Sequence, residues 1–181
     1  MARIGWLTGI TLIASVWIGF PGDQVAAAAT AGDTAQASAQ KDSFALTGLS
    51  GDTKTYRLAD LQALPATTIT VYFGSSHGPM HAVFQGVELW ALLQQTRLTS
   101  ENGPRNEILK RTITITGADG YEVVLSGGEL SPSFGAEPAI IAYAQDSKPL
   151  RTQDGGFARL IVPGDKLGGR NVTEVVRIQV R

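Results

Sequence analysis

The sequence has no cysteine at any of its 181 positions. Disulfides, thiolate metal sites, iron–sulfur clusters and cysteine nucleophiles are excluded together. Histidine is nearly absent as well. His77 and His81 are the only two, too few for an all-histidine metal site. Charge is sparse: Asp, Glu, Lys and Arg make up 17% of the chain, against roughly 25% in an average soluble domain. The 15 Lys and Arg nearly balance the 16 Asp and Glu. No strong positive field is left to displace the counterions of a nucleic acid, so no nucleic-acid partner is expected. What is present is a 43% hydrophobic composition, enough for a real core. The length suits one domain, or one domain with a targeting segment.

The N-terminal stretch is expected to lie outside the fold. Arg3 precedes an uncharged run from Ile4 to Phe20, then a Pro-Gly-Asp break and the run Val25-Ala26-Ala27-Ala28-Ala29. A basic start, an apolar stretch and a small-residue cleavage site read as a secretory signal peptide over residues 1–29. The alternative is an uncleaved anchor, since the apolar run reaches the short end of the roughly 17–25 residues that a span needs. Residues 30–42 are mostly Ala, Thr, Ser, Gln and Gly without periodicity and read as a disordered lead-in. Residues 43–181 then form the working domain, periplasmic or secreted, with no stable membrane span once the signal is removed.

Within that domain, strands are predicted to dominate. Phe44–Leu49 and Thr53–Arg57 flank a Ser-Gly-Asp turn. Leu58–Leu64 reads as a short helix stopped by Pro65. Thr67–Phe73 is rich in Thr, Ile and Val and reads as a strand. Gly74–Pro79 reads as a loop by composition, His81–Phe84 as a short strand and Val87–Thr96 as a helix. Arg111–Thr116 and Tyr121–Leu125 form a hairpin on the Asp119-Gly120 signal. Gly127–Ser131 reads as one helical turn. Ala139–Ala144, Phe157–Val162 and Val172–Val180 complete the strands, with a turn over Asp146–Pro149 and a glycine-rich loop over Pro163–Arg170. Strands not spaced by regular helices exclude a doubly wound α/β plan. The expected class is α+β, mainly antiparallel or mixed β-sheets with a few short helices.

Two segments could carry chemistry. In the first, a strand delivers Arg159 and a loop with three glycines follows, carrying Lys166, Gly168, Gly169 and Arg170. Glycines let backbone N–H groups approach a ligand, successive N–H groups make an anion-binding concavity, and a guanidinium adds a bidentate fork. From Asp146 onward there are seven basic and four acidic residues, a positive excess in a nearly neutral chain. The segment reads either as an oxyanion cradle or as a glycine-rich turn with solvated basic residues. The second segment is Gly74-Ser75-Ser76-His77-Gly78-Pro79-Met80-His81. Ser75, Ser76 and His77 could line a ligand there, or the segment could be a plain loop. A two-histidine metal site would need ligands that no other segment offers. A Ser–His hydrolase pairing is formally open, but no Gly-x-Ser-x-Gly elbow exists. Asn171-Val172-Thr173 matches a glycosylation sequon at a strand start.

Four pieces in order resemble a known family. Phe84-Gln85-Gly86-Val87-Glu88-Leu89-Trp90-Ala91-Leu92-Leu93 is similar to the F-x-G-V-x-L-W-x-L-L segment of the sulfite-oxidase-like oxidoreductase molybdopterin-binding domain. Ala118-Asp119-Gly120-Tyr121 with Gly128-Glu129-Leu130 resembles its hairpin and following turn. Phe157–Asp165 with Gly168-Gly169-Arg170 resembles its P-x-R-L-V-V-P-G segment and glycine loop, and Val175–Val180 its closing strand. The resemblance covers Ser43 to Arg181. It implies an α+β fold of the sulfite-oxidase molybdopterin-binding type, holding a molybdopterin cofactor in a cleft. It maps cofactor contacts onto Arg159, Gly168, Gly169 and Arg170.

One departure matters. The family's enzymes bind molybdenum through a cysteine just after the strand matching Thr67–Phe73, where this chain reads Gly74-Ser75-Ser76-His77. The leader also has one arginine rather than the pair of the twin-arginine route, which carries folded, cofactor-loaded proteins. The resemblance therefore implies one of two things. Either the chain is an exported member that binds an anionic pterin-type cofactor or similar small ligand, with a redox role and a redox or sensor partner. Or it is a cofactor-free binding, sensor or accessory module that keeps the fold without molybdenum chemistry.

Overall fold

The computed structural model describes residues 42–75, 78–99, 103–134, 138–150 and 156–181. The predicted signal peptide, and the predicted lead-in up to residue 41, lie outside the described residues. So do Ser76 and His77. No helix among the described residues is long and apolar enough to cross a membrane.

Two five-stranded sheets make the fold. In the first, β1 (Ser43–Thr47) and β2 (Thr53–Arg57) form a hairpin around Gly51, whose positive φ of 86° a side chain would resist. β5 (Thr112–Gly117) and β6 (Glu122–Ser126) form a second hairpin. Its turn has Gly120 at φ 83° and the Asp119 carboxylate accepting the Tyr121 N–H. β10 (Val175–Val180) lies between the hairpins, parallel to β1 and antiparallel to β5, giving the order β2-β1-β10-β5-β6. Isoleucines alternate with threonines along β5, so Ile113 and Ile115 are buried on one face.

The second sheet is ordered β3-β4-β7-β8, with β9 also on β7. β3 (Thr67–Ser75) and β4 (Gly78–Glu88) pair without interruption from Thr67↔Gly86 to Ser75↔Gly78. β7 (Ile140–Gln145) pairs with β4 on one edge; β8 (Lys148–Pro149) and β9 (Arg159–Ile161) share its other edge. Gln85 pairs with Ala144 and Gly86 with Ala142, so Tyr143 is the extra residue of a bulge that bends β7 where it meets β4. A Cβ at Gly86 would lie 2.2 Å from the Ile141 carbonyl oxygen, so glycine is what lets the two strands meet.

Three short helices complete the domain: α1 (Leu58–Gln62), α2 (Leu89–Leu93) and α3 (Gly127–Leu130). Ser126 opens α3 with a capping box closed by Glu129. The main core lies between the sheets. Phe44, Leu46, Ile115 and Ile178 from the first meet Val87, Ile141, Tyr143 and Leu160 from the second, with Leu92 and Leu93 of α2. Because side chains alternate along β7, Ile140 and Ala142 point the opposite way, into a smaller cluster with Val71, Phe73, Phe84 and Ile161.

Three expectations are corrected here. Gly74, Ser75, Gly78 and Pro79 are not a loop; they belong to the paired ends of β3 and β4. The short strand expected at His81–Phe84 is the middle of an 11-residue strand. The helix expected over Val87–Thr96 is confined to Leu89–Leu93, since Val87 and Glu88 are held in β4 by pairing with Ile141 and Ile140. The sequon is also occluded: Asn171 is buried and its Oδ1 accepts the Val162 N–H at 2.9 Å.

Candidate functional site

The end of the β3–β4 hairpin and the glycine-rich loop after β9 come together in space. The Gly74 N–H donates to the Lys166 carbonyl at 2.9 Å, and Gly74 and Leu167 form an isolated parallel bridge. Between them opens a cleft of about 590 Å³, lined by Phe73, Gly74, Ser75, Met80, Arg159, Leu167, Gly168 and Gly169. Of the sequence-predicted residues it thus gathers Ser75, Arg159, Gly168 and Gly169.

Arg159 stands at the start of β9, opposite Ala142 of β7. Leu160 beside it points into the main core, and Arg159 and Ile161 therefore point to the other face, toward the smaller cluster. Its guanidinium lies over the Phe84 ring. Its Nε is buried and has no hydrogen-bond partner. Among the described lining residues Arg159 is the one charged group. Desolvation by burial holds its pKa below the usual arginine value, a sign that the charge is under-compensated. A buried donor without an acceptor is costly in a folded protein.

The opposite wall is built from glycine. A short 3-10 turn runs over Gly168–Arg170, closed by the Asn171 N–H donating to the Gly168 carbonyl. A Cβ at Gly168 would come within 2.7 Å of the Phe73 ring, whereas one at Gly169 would meet nothing within 4 Å. The Gly169 carbonyl accepts the Tyr121 hydroxyl at 2.6 Å. Phe73, Met80 and Leu167 supply an apolar lining. Ser75 donates from its hydroxyl to the Gly78 carbonyl at 2.8 Å, and so is engaged in the hairpin end.

Lys166 and Arg170 are placed differently. The Lys166 side chain is exposed and is not among the lining residues; its carbonyl, not its ammonium, is what ties the loop to β3. Arg170 lines a separate hollow with Glu129, Val162 and Asp165. Its Nε donates to one Asp165 oxygen at 2.8 Å and a terminal nitrogen to the other at 2.5 Å; the remaining terminal nitrogen pairs with Glu129. The Asp165 and Glu129 hydrogen bonds raise its pKa above the usual arginine value. Its charge is answered by two carboxylates. Ser76 and His77 lie outside the described residues. His81 is exposed and stacks on Tyr72 at 4.3 Å between ring centroids.

Sequence reasoning gave no site role to Phe73, Met80, Leu167 or Tyr121. The first three are ordinary apolar residues until the loop closes over the hairpin, and Tyr121 reads only as a turn residue. Among the described residues no group of three or more His, Asp or Glu gathers where a metal could be held.

The model of the oxidoreductase molybdopterin binding domain family matches residues 31–181, and the chain belongs to that family. No curated protein matches the sequence. Among solved structures the chain is similar to the sulfane dehydrogenase SoxCD from Paracoccus pantotrophus, with a TM-score of 0.61 and 20% sequence identity over 77% of this chain. The match covers 38% of that chain, so this protein spans well under half of its length. At that identity the likeness is one of fold: the mostly β, mixed-sheet architecture is that of the SoxCD molybdopterin-binding fold.

Proposed function

We propose, for this member of the oxidoreductase molybdopterin-binding family, that the cleft binds the anionic end of a pterin-type cofactor or a similar small anionic ligand. The observation that carries the reading is the buried, unpartnered Arg159 Nε in a cleft without a carboxylate among its described lining residues. An oxyanion would supply the missing acceptor and compensate the charge. The space beside Gly169, which a Cβ could enter without contact, admits a ligand close to the backbone. Phe73, Met80 and Leu167 would pack on the flat apolar part of the ligand. Arg159, Gly168 and Gly169 are the residues that would hold a molybdopterin tail, and Ser75 lies toward its other end. A molybdenum-bearing pterin supplies redox chemistry when bound.

The donor set fits the organic part better than the metal. The chain has no thiolate to offer molybdenum. That favours the second reading for the same cleft, a binding, sensor or accessory module of an exported protein that keeps the fold without molybdenum chemistry. The leader sequence supports periplasmic or secreted placement, and a protein partner would receive the redox or binding signal.

The test is the pterin and molybdenum content of protein from its native exported pool, with titration of an oxidised pterin phosphate into wild type and Arg159→Ala. Pterin with molybdenum selects the redox reading. Pterin without molybdenum points to a carrier, and neither one in folded protein selects the cofactor-free module. Pterin phosphate affinity lost in Arg159→Ala supports the cleft under either reading. Equal affinity in wild type and variant overturns the site.

A further inference from the structure

β3 is an edge strand of the second sheet, and among the described residues it lacks most of the devices that normally guard an edge. Proteins blunt edges with charge, proline, bulges or a covering segment. The edge strands of the first sheet carry Lys54 and Arg57 on β2 and Glu122 on β6. β8 consists of Lys148 and Pro149. The nine residues of β3, Thr-Thr-Ile-Thr-Val-Tyr-Phe-Gly-Ser, hold no charge and no proline, and their pairing with β4 has no bulge.

The free backbone groups can be identified. In an antiparallel pair, alternate residues point their N–H and C=O toward the partner and away from it. Gly74 directs its N–H away from β4, to Lys166. Tyr72, Thr70 and Thr68 follow the same parity. Among the described residues nothing takes their outward N–H or C=O groups. The loop thus covers the edge only at Gly74. Thr68, Thr70 and Tyr72 are also exposed at the side chain, Tyr72 to 71%.

We infer that this edge is a self-association surface, on which a second copy of the chain lays its own β3 antiparallel about a two-fold axis at Thr70. The pattern is self-complementary. With Thr70 facing its counterpart, Thr68 faces the second copy's Tyr72, so outward backbone groups meet outward backbone groups along the whole free edge. On the other face Ile69 falls beside the second copy's Val71, continuing the smaller apolar cluster across the axis. No like charges are brought together. The two sheets join into one continuous sheet, and the junction is isologous, as closed two-fold dimers require.

Sedimentation of the full chain over a wide concentration series tests this, with Thr70→Lys and Val83→Lys. Thr70→Lys sets two ammonium groups against each other at the axis. Val83→Lys places the same charge on the facing residue of β4, one strand away from the edge. The expected result is twice the chain mass for wild type and Val83→Lys, and the single chain mass for Thr70→Lys with an unchanged circular dichroism spectrum. Amide exchange at Thr68, Thr70 and Tyr72 in wild type should slow as concentration rises, a readout that survives if Thr70→Lys folds poorly. A wild type of single chain mass throughout overturns the inference. So does a Thr70→Lys variant that associates as wild type does, or exchange at these amides that ignores concentration.

Discussion

The Arg159 guanidinium lies over the face of Phe84, 5.6 Å from the ring centroid, and this aromatic face is the support its buried end has in place of a carboxylate. A cation over a ring gains about 0.5–2 kcal/mol but supplies no acceptor for the guanidinium N–H groups. The residue is thus better suited to receive an anion than to stabilise the free protein.

Arg159→Leu is expected to leave the melting temperature of the ligand-free protein unchanged or higher, since an unpaired buried charge is removed and apolar volume kept. In the same variant, affinity for a phosphate-bearing ligand should fall by about 1.5–3 kcal/mol, the range for hydrogen bonds to charged groups. Calorimetric melting and titration on one preparation read both. A large loss of stability would make Arg159 structural.

Arg170→Ala should act the other way. Its guanidinium is held by Asp165 and Glu129 at a partly exposed site. Removing it should lower stability by up to about 1 kcal/mol, as for exposed pairs, and make the remaining stability less sensitive to salt. Ligand affinity should change far less than in Arg159→Leu. Denaturant unfolding at low and high salt checks the first point.

The neighbouring glycines of the loop should separate cleanly. Gly169→Ala has open space for its methyl and should be nearly silent in unfolding. Gly168→Ala drives a methyl to 2.7 Å from the Phe73 ring and should shift the cleft wall, read as a change in ligand affinity. Gly86→Ala meets backbone of β7 that cannot yield and should cost at least about 1–3 kcal/mol, as overpacked sites do.

Asp146 gives a pH signature. It takes φ 49° in the β7–β8 turn, and its carboxylate accepts the Val83 N–H at 3.0 Å. That hydrogen bond lowers its pKa, with desolvation opposing it and the Gln145 amide, His81 and Lys148 adding to it. A depressed folded-state pKa adds stability above the unfolded-state value, and that stability is lost as pH falls through the folded-state value. Asp146→Asn keeps an acceptor and tolerates the positive φ. It should lower stability at neutral pH, leave stability below the folded-state pKa nearly unchanged, and so flatten the acid limb of the stability–pH curve. An unaltered acid limb would exclude Asp146 as its source.

Much of the chain's local structure was legible without coordinates. The threonine–isoleucine alternation of β5, the Asp119-Gly120 turn and the β-branched run of β3 each carry their own period or turn chemistry, and local sterics suffice to read them. The family motifs gave the architecture, and the glycines beside Arg159 marked the loop that lines the cleft. Tertiary structure decided the rest. Gly74–Pro79 has the composition of a loop, yet the pairing of β3 with β4 makes most of it strand. The helical spacing of Val87, Trp90 and Leu93 loses its first turn to β4, because β7 offers Val87 and Glu88 partners. The opposite fates of Arg159 and Arg170 could not be read locally either. Glu129, which neutralises Arg170, is 41 residues away in the chain, and the apolar wall that leaves Arg159 unpaired comes from a different hairpin. A side chain's charge is set by its residue type, but what answers that charge is set by whichever distant segment the packing of the sheets brings to it.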